Sequence, residues 1–392
     1  MKYISVFALF ALPLAVHAQW FTQTSGTNQN LYSVYGVSGL QGWAVGNGGT
    51  IRATVDGGTN WTGQTSGTTE NLYEVFFITQ DTGWICGGNG TIRKTVNGGL
   101  SWSPQNSNTG NILWSIFFID GNRGWAVGAG GTIRATVDGG VTWTSQTIAS
   151  SVNLWSVYFT SPALGWICGD NSLILTTTNG GLTWTPQNSP VSATTLWSVS
   201  FYSPVDGIIT GNNGLVLKTS NGGNSWIQQT SGTTDFLHWA AYPQYLWGFY
   251  YAVGESGEIR RSMDGGVTWT QEPGLTTQHL RSFWAYALQD IFGWAVGEGG
   301  TILRLAQPLS TGMYNMHGIG IYPNPSQEVV KIELNGVELE GISVYDALGN
   351  EAGPVEWSPL LGELRISGLK SGVYYLYIKT GEALVARKLV KI

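Results

Sequence analysis

Three carboxylates stand where they could carry out acid–base chemistry. Asp170, Glu255 and Glu298 each follow a glycine that ends a short apolar segment, at equivalent points of an internal repeat. Two carboxylates facing one substrate can act as general acid and general base, as in glycoside hydrolysis. Acidic side chains are also common in solvated turns, and this structural role is the stronger prediction. The other repeats carry Asn47, Asn89, Ala129 and Asn212 at this point.

A second set of large side chains directly follows a leucine in each repeat. The set consists of Tyr32, Tyr73, Trp114, Trp155, Trp197, His238 and Arg281. Aromatic side chains with polar tips stack on sugars and other flat surfaces, so the set predicts a ligand-binding platform near the mouth of a channel. The alternative is that these side chains pack between repeats as ordinary core residues. The order of residue types predicts an extended ligand, with a polar or anionic group near Arg281.

A third set consists of arginines on one strand of the repeat. Its members are Arg52, Arg93, Arg134 and Arg260. They could form an arc of positive charge. Because guanidinium groups that recur at a fixed point commonly pair locally, we expect a structural role, with the repeated turn of a neighbouring strand as one candidate partner.

One repeated turn indicates which elements position these residues. Its first copy has the sequence TVDGGTNW. Its closing tryptophans, Trp61 to Trp269, are spaced 41 to 43 residues apart, a period that in an all-β chain indicates propeller blades. An Asp or Asn before Gly-Gly suits a tight turn, because the short side chain bonds nearby backbone N–H groups and glycine adopts positive φ. The Asp or Asn positions are Asp56, Asn97, Asp138, Asn179, Asn221 and Asp264.

This turn resembles the Asp-box, or BNR, repeat of sialidases, xyloglucanases and the photosystem II stability and assembly factor family. The resemblance covers Gln19 to Leu305. It implies that the Asp-box residues define the fold and do not act in catalysis. The sequence pattern of the whole repeat is most similar to that of the assembly factor family.

A second motif, Gly42 to Gly46 (GWAVG), gives the number of blades. It recurs from Gly83, Gly124, Gly165 and Gly293, with divergent copies near Gly207 and Tyr251, which makes seven hairpins. The last hairpin lacks an Asp-box, while the chain from Trp20 to Thr27 is a near copy of Trp61 to Thr68. We therefore predict an all-β, seven-bladed propeller over residues 19–305, closed by an N-terminal strand in the last blade, with almost no helix.

The sequence lacks the motifs that are typical of the known enzyme classes with this repeat. A sialidase is announced by an Arg-Ile-Pro segment before the first Asp-box, which is absent, and xyloglucanases of this kind resemble two joined propellers. The chain has no metal-ligand spacing of histidines, no Gly-x-Ser-x-Gly elbow and no phosphate loop. We therefore predict no catalytic residue, no metal and no cofactor, with a glycan-active hydrolase as the alternative.

Both ends of the chain are predicted to carry targeting signals. Lys2, an apolar run and a small-residue site ending at Ala18 predict a signal peptide over residues 1–18 and no transmembrane segment. After a linker, residues 306–318, the region 319–392 resembles the C-terminal sorting domain of the type IX secretion system. That resemblance rests on Tyr322 to Pro325 (YPNP), Val344 to Asp346 with Gly349, Gly372 to Tyr375, and Lys388 to Lys391. Alternating apolar residues also predict a small β-sandwich there.

The resemblance to the sorting domain implies a partner and a destination. The partner is the type IX secretion machinery of non-photosynthetic bacteria, and the destination is the outer cell surface or the medium, reached through the periplasm.

Charged residues make up only 11% of the chain, and its net charge is −6, which argues against binding to nucleic acid. The two cysteines, Cys86 and Cys168, belong to blades that are not neighbours, so we expect both to be buried without a disulfide. We therefore expect a non-enzymatic binding or scaffold propeller with a glycan or protein ligand.

Overall fold

A computed structural model describes residues 19–243, 248–287, 290–308, 320–322, 326–333, 339–346, 352, 355–359, 361–380 and 384–391. In this part of the chain the regular structure is β-strand, apart from 3-10 turns of three residues. The proposed signal peptide lies outside the described residues, as do most of the linker and much of the Tyr322 to Pro325 motif. No helix of the described ranges is long and apolar enough to cross a membrane.

Seven four-stranded antiparallel sheets form the blades, which confirms the predicted propeller. Strands are numbered along the chain. The innermost strands are β2 (Leu31–Gly36), β6 (Leu72–Phe77), β10 (Leu113–Phe118), β14 (Leu154–Phe159), β18 (Leu196–Phe201), β22 (Leu237–Ala241) and β26 (Leu280–Ala287). The second strands are β3 (Gly42–Gly46), β7 (Gly83–Gly87), β11 (Gly124–Gly128), β15 (Gly165–Gly169), β19 (Gly207–Gly211), β23 (Tyr250–Gly254) and β27 (Asp290–Gly297).

The two outer layers of the blades are shorter. The third strands are β4 (Thr50–Thr54), β8 (Ile92–Thr95), β12 (Ile133–Thr136), β16 (Ile174–Thr177), β20 (Val216–Thr219), β24 (Ile259–Ser262) and β28 (Ile302–Pro308). The outermost strands are β5 (Thr62–Thr65), β9 (Ser103–Gln105), β13 (Thr144–Gln146), β17 (Thr185–Pro186), β21 (Ile227–Gln229), β25 (Thr270–Gln271) and β1 (Gln19–Gln23).

The ring is closed by its first strand. Strand β1 pairs antiparallel with β28, with Gln19 opposite Ala306 and Gln23 opposite Ile302. The seventh blade is thus completed by a strand that precedes the first blade in sequence, as the near copy of the outer-strand sequence predicts. The closing pairing covers a sheet edge that would otherwise be exposed.

Aromatic side chains fill the space between blades. The Phe77 ring stacks on Trp43 of the preceding blade, with centroids 3.5 Å apart, and meets Trp102 edge to face at 5.8 Å. The same arrangement recurs around Phe118, Phe159 and Phe201. Burying one such ring stabilises the fold by about 1.5–3 kcal/mol, and favourable ring geometry adds to this. The repeated tryptophans are therefore core residues.

Each Asp-box turn is held by its own side chains. In the first blade the Gly58 N–H donates to Thr54 Oγ1 at 2.8 Å, and the Asn60 N–H donates to Asp56 Oδ1 at 2.9 Å. Gly57 and Gly58 have φ of +72° and +83°, which explains the glycine pair. The turns and the hairpin loops between first and second strands lie at one end of the blades, here called the Asp-box face.

The C-terminal region forms two small sheets. One has the strand order β29 (Gly320–Tyr322), β30 (Val329–Glu333), β33 (Glu363–Arg365) and β32 (Glu356–Ser358). The other has the order β31 (Leu339–Asp346), β34 (Gly372–Thr380) and β35 (Leu384–Lys391). Buried Val330, Leu364, Leu376 and Leu389 belong to one apolar cluster between them, consistent with the predicted sandwich.

The cysteines are as expected. Cys86 and Cys168 are both free and buried, and burial raises the pKa of each thiol. Each sits on the second strand of its blade, where other blades have valine or threonine. They act as small apolar core residues.

Candidate functional site

The seven candidate ligand-binding residues share one backbone feature. Each lies between a buried leucine and the next paired residue of an innermost strand, where the register with the second strand shifts by one residue. A bulge of this kind leaves one residue unpaired and turns its side chain away from the regular alternation. It is therefore the bulge that separates these side chains from the core. We call the seven residues the ring, and the end of the blades that carries them the ring face.

The ring side chains contact one another in sequence around the molecule. Centroid distances are 5.2 Å for Tyr32–Tyr73, 4.5 Å for Tyr73–Trp114, and 4.6 Å for both Trp114–Trp155 and Trp155–Trp197. All five aromatic residues are half-buried. The ring is therefore neither a fully buried inter-blade core nor a set of free side chains.

The polar end of the ring is a paired cluster. His238, 8% exposed, meets Trp197 edge to face at 5.4 Å, and its Nε2 lies 2.9 Å from Arg281 Nη1. Because arginine only donates, His238 Nε2 accepts, and burial together with the Arg281 charge lowers the pKa of His238 to about 3. Arg281 Nη2 also forms an ion pair with Glu298. The positive charge expected to attract an anionic group is thus already neutralised.

The turn between second and third strands holds two of the indoles. Trp155 Nε1 donates to Asp170 Oδ1 at 2.8 Å, and Trp197 Nε1 donates to Asn212 Oδ1 at 2.7 Å. Trp114 lacks this contact because Ala129 occupies the same place, and its Nε1 is buried without a hydrogen-bond partner. In the fourth and fifth blades the residue that begins the turn therefore fixes the ring residue of its own blade.

The structure corrects one assignment at this turn. The equivalent residues are those that begin each three-residue turn, and in the second blade this is Gly88. Asn89, predicted for this place, is the middle residue and has φ of +52°, a conformation that Gly48 and Gly130 adopt elsewhere. The prediction for Asn89 is wrong by one residue, because asparagine is accepted both at the start and in the left-handed centre of the turn.

Two of the three candidate acids are held by neighbouring side chains. Asp170 accepts hydrogen bonds from Trp155 Nε1, from Asn153 Nδ2 at 3.0 Å and from Thr195 Oγ1 at 3.0 Å. Glu298 is paired with Arg281. Glu255 begins the turn of the sixth blade. These contacts support a structural role for Asp170 and Glu298. The described residues contain no group of three His, Cys, Asp or Glu side chains that could hold a metal ion.

The repeated arginines join neighbouring blades at the ring face. Arg93 Nη2 donates to the carbonyl oxygen of Gly67 at 2.8 Å, and Arg134 Nη2 donates to that of Asn108 at 2.8 Å. Arg52 and Arg260 make the same bond to Gly26 and Gly232. The accepting carbonyls lie in the loops that lead from one blade to the next. Their partner is therefore this loop and not an Asp-box.

A second aromatic layer lies three residues further along the innermost strands. Centroid distances are 4.9 Å for Tyr35–Phe76, 5.1 Å for Phe76–Phe117 and 5.0 Å for Phe117–Tyr158. The Tyr158 and Tyr242 hydroxyl oxygens are 2.8 Å apart. These side chains therefore form a second continuous row of aromatic contacts along the same innermost strands.

Two family models match the chain. The model of the photosynthesis system II assembly factor YCF48 matches residues 14–96, 95–185 and 147–234, and the model of the secretion system C-terminal sorting domain matches residues 320–392. Among curated proteins, no match was found. The sorting domain indicates export by the type IX machinery to the cell surface or the medium.

Solved structures agree with the fold. YCF48 bound to D1 peptide is 21% identical, with a TM-score of 0.62 over 76% of this chain and 99% of the other. YCF48 from Cyanidioschyzon merolae is 20% identical, with a TM-score of 0.61 over 73% and 98%. A catalytically inactive virginiamycin B lyase from Staphylococcus aureus with quinupristin is 12% identical, with a TM-score of 0.65 over 74% and 99%. Such identities show the fold alone, but the family match extends over more than half of the sequence, and the chain therefore belongs to the family of the photosynthesis system II assembly factor YCF48.

Proposed function

We propose that this protein is a non-enzymatic binding module that is delivered to the cell surface and holds its ligand on the ring. The observation that carries the proposal is the β-bulge that recurs before every ring residue. Bulges cost ladder hydrogen bonds and are enriched beside functional sites, where they redirect side chains. Seven of them at one face place large side chains together at the mouth of the propeller.

The shape of the site suits an extended ligand. Five neighbouring aromatics form an arc that ends in the His238, Arg281 and Glu298 cluster. One solved member of the family is bound to a peptide, which is an extended polymer. By analogy we propose that this chain also binds a polymer across one side of the ring.

The alternative function is glycan hydrolysis by the acids of the ring face. A general acid needs a proton to give, and a general base needs a free lone pair directed at substrate. Asp170 already accepts three hydrogen bonds and Glu298 is already ion-paired, which favours binding without catalysis.

One experiment separates binding from catalysis. Asp170→Asn, Glu255→Gln and Glu298→Gln should leave any glycan hydrolysis unchanged within a few-fold, measured as reducing ends released from a panel of polysaccharides. A loss of about a hundred-fold or more, the scale expected for a general acid or base, would show that the protein is an enzyme.

A second experiment tests the ring itself. The double variant Trp114→Ala/Trp155→Ala should bind glycan and peptide arrays more weakly by about 1–3 kcal/mol, if each indole acts as an anchor. Leu182→Ser is the matched control, because Leu182 is 83% exposed on the Asp-box face. Unchanged array binding by the double variant would refute the ring as the ligand site.

A further inference from the structure

The charge of the ring limits the class of ligand. Arg281 is the only cation among the seven residues, and its guanidinium contacts both Glu298 and His238. The arginines nearer the rim each donate to a loop carbonyl. An anionic polymer would therefore have to displace existing partners. It would also approach the carboxylates of Asp170 and Glu255, which disfavours anions further.

Two of the three carboxylates in the ring-face turns, Asp170 and Glu298, offer little to a cationic ligand. Asp170, the carboxylate beside the aromatic arc, is satisfied by three donors and directs its oxygens at the protein. Glu298 is occupied by Arg281. A lysine-rich segment would find no carboxylate among these two that is free to pair with it.

What remains open at the ring is aromatic surface. Trp114, Trp155 and Trp197 are consecutive, half-buried and in mutual contact. Two of the three indoles are fixed by hydrogen bonds from Nε1, so stacking on them would cost little side-chain entropy. A sugar ring offers a flat C–H face for such stacking without any charge.

From these observations we propose that the stretch Trp114–Trp155–Trp197 is a subsite for an uncharged sugar chain, and that Asp170 is a positioning residue that holds the Trp155 indole. This inference rests on the proposed binding function of the ring. It assigns the indoles as the groups that touch the sugar. Asp170 acts only through Trp155.

The test is affinity electrophoresis of the purified full chain in native gels that contain one polysaccharide each. Mixed-linkage β-glucan, galactomannan and soluble starch are the neutral probes, and polygalacturonate is the charged probe. We expect at least one neutral polymer to retard the protein and polygalacturonate not to do so. Retardation by polygalacturonate alone, or by none of the four polymers, would overturn the inference.

Variants at Asp170 test its role without removing an indole. Asp170→Asn keeps a side-chain oxygen, as Asn212 does for Trp197, so the retardation should remain within about two-fold. Asp170→Ala reproduces the arrangement of the third blade, where Ala129 leaves Trp114 unbonded, and the dissociation constant should rise about five- to ten-fold. The NMR signal of the Trp155 Nε1–H, identified by its loss in Trp155→Phe, should shift in Asp170→Ala and much less in Asp170→Asn, a change that a remote structural effect would not produce. Equal loss in both variants would refute the positioning role.

Failure of this inference can be told from failure of the proposed function. If the neutral polysaccharides do not bind but Trp114→Ala/Trp155→Ala loses binding to a peptide array, the ring is a ligand site and its ligand is not a sugar. If the double variant changes neither measurement while Leu182→Ser also changes neither, the ring is not a ligand site. Thermal unfolding of each variant excludes loss of the fold as the cause.

Discussion

At the scale of single residues, a serine in most innermost strands joins one blade to the next. Ser33, Ser115 and Ser156 each accept a hydrogen bond at Oγ from a backbone N–H of the following blade. In the second blade the residue is Glu74, whose Oε2 accepts from the Ile116 N–H at 2.6 Å. Burial raises the pKa of this carboxyl to about 8, so Glu74 is mostly protonated at neutral pH.

This carboxyl should make stability depend on pH. Its pKa is about 8 in the folded chain and about 4.3 in the unfolded chain, so the folded chain binds the proton more tightly. Stability from this group is complete below pH 4.3 and is lost as pH rises through 8. Between pH 6.5 and 8 the free energy of unfolding should fall by about 1 kcal/mol per pH unit on average relative to Glu74→Gln, because the slope halves as the group reaches its folded pKa.

Urea unfolding at several pH values measures this effect. The window avoids His238, whose lowered pKa makes stability fall only as pH drops below about 6.5. Glu70→Gln is the control, because Glu70 is half-buried in the loop that precedes the same strand. Parallel pH curves for the chain and for Glu74→Gln would contradict the assignment.

A glutamine on the outer strand joins blades at the Asp-box face. Gln64 Nε2 donates to the Gly98 carbonyl at 3.1 Å, and Gln64 Oε1 accepts from Trp102 Nε1 at 3.3 Å. In the next blade Lys94 Nζ donates a hydrogen bond to the Gly139 carbonyl at 2.8 Å. The equivalent glutamine there is Gln105, and its Oε1 has no hydrogen-bond partner. The lysine therefore substitutes for the glutamine.

We expect Gln64→Ala to destabilise the protein by about 1–2 kcal/mol, because the Trp102 indole N–H loses its acceptor and the half-buried Gly98 carbonyl keeps only the Trp43 Nε1 donor. Gln105→Ala, the matched variant in the blade where lysine has taken over, should cost less than half as much. Chemical unfolding of the two variants side by side gives the comparison. Equal losses would mean that the glutamine contacts do not join the blades.

The sequence predicts which residues form the ring but not what orients them. Trp155 and Trp197 are recognisable because each follows a leucine at a fixed point of the repeat. The bulge was not predicted, because it arises from pairing with a second strand and leaves no residue signature of its own. The bond from Trp155 to Asp170 was missed for the same reason, since it joins residues that only the hairpin brings together.

At the scale of elements, the blade depends on strands that are far apart in sequence. Strand β1 forms the outer edge of the seventh blade. It also contacts the first blade, because Gln23 Nε2 donates a hydrogen bond to the Gly57 carbonyl at 3.0 Å. Trp20 of the same strand is 7% exposed and packs beside Tyr251 and Phe283. This element was predictable because it repeats the sequence of the other outer strands.

Deletion of Gln19 to Ser25 should therefore lower the thermal midpoint by several degrees or cause aggregation, because it removes a strand ladder and exposes the edge of β28. Phe21→Ser is the control, since Phe21 is 48% exposed on the outward side of the same strand. An unchanged midpoint in the deletion would contradict closure by β1.

At the scale of the whole molecule, the propeller and the sorting domain are built from separate sheets. In the described parts of the chain, no sheet contains strands from both. The terminal strand β35 pairs with β34, and Leu389 is fully buried in the core of the sandwich. Loss of the last residues should damage the sandwich and spare the ring of blades.

Removal of Lys388 to Ile392 should thus leave a folded propeller in the periplasm. Fractionation with protease accessibility on intact cells reports its location, and near-ultraviolet circular dichroism of the tryptophan-rich blades reports its fold. A truncated chain that still reaches the surface at the normal level would count against the sorting role of this region.

The closure of the propeller by β1 also has a consequence for the order in which the domain folds. Because Gln19 pairs with Ala306, the pairing that completes the domain joins the residues synthesised first to those synthesised last. Long-range pairings of this kind form slowly, and a chain that is still emerging cannot make them. The nascent propeller therefore remains an open array of blades until its last strand has been synthesised. Its circular form is reached only when β1 and β28 are both available to pair.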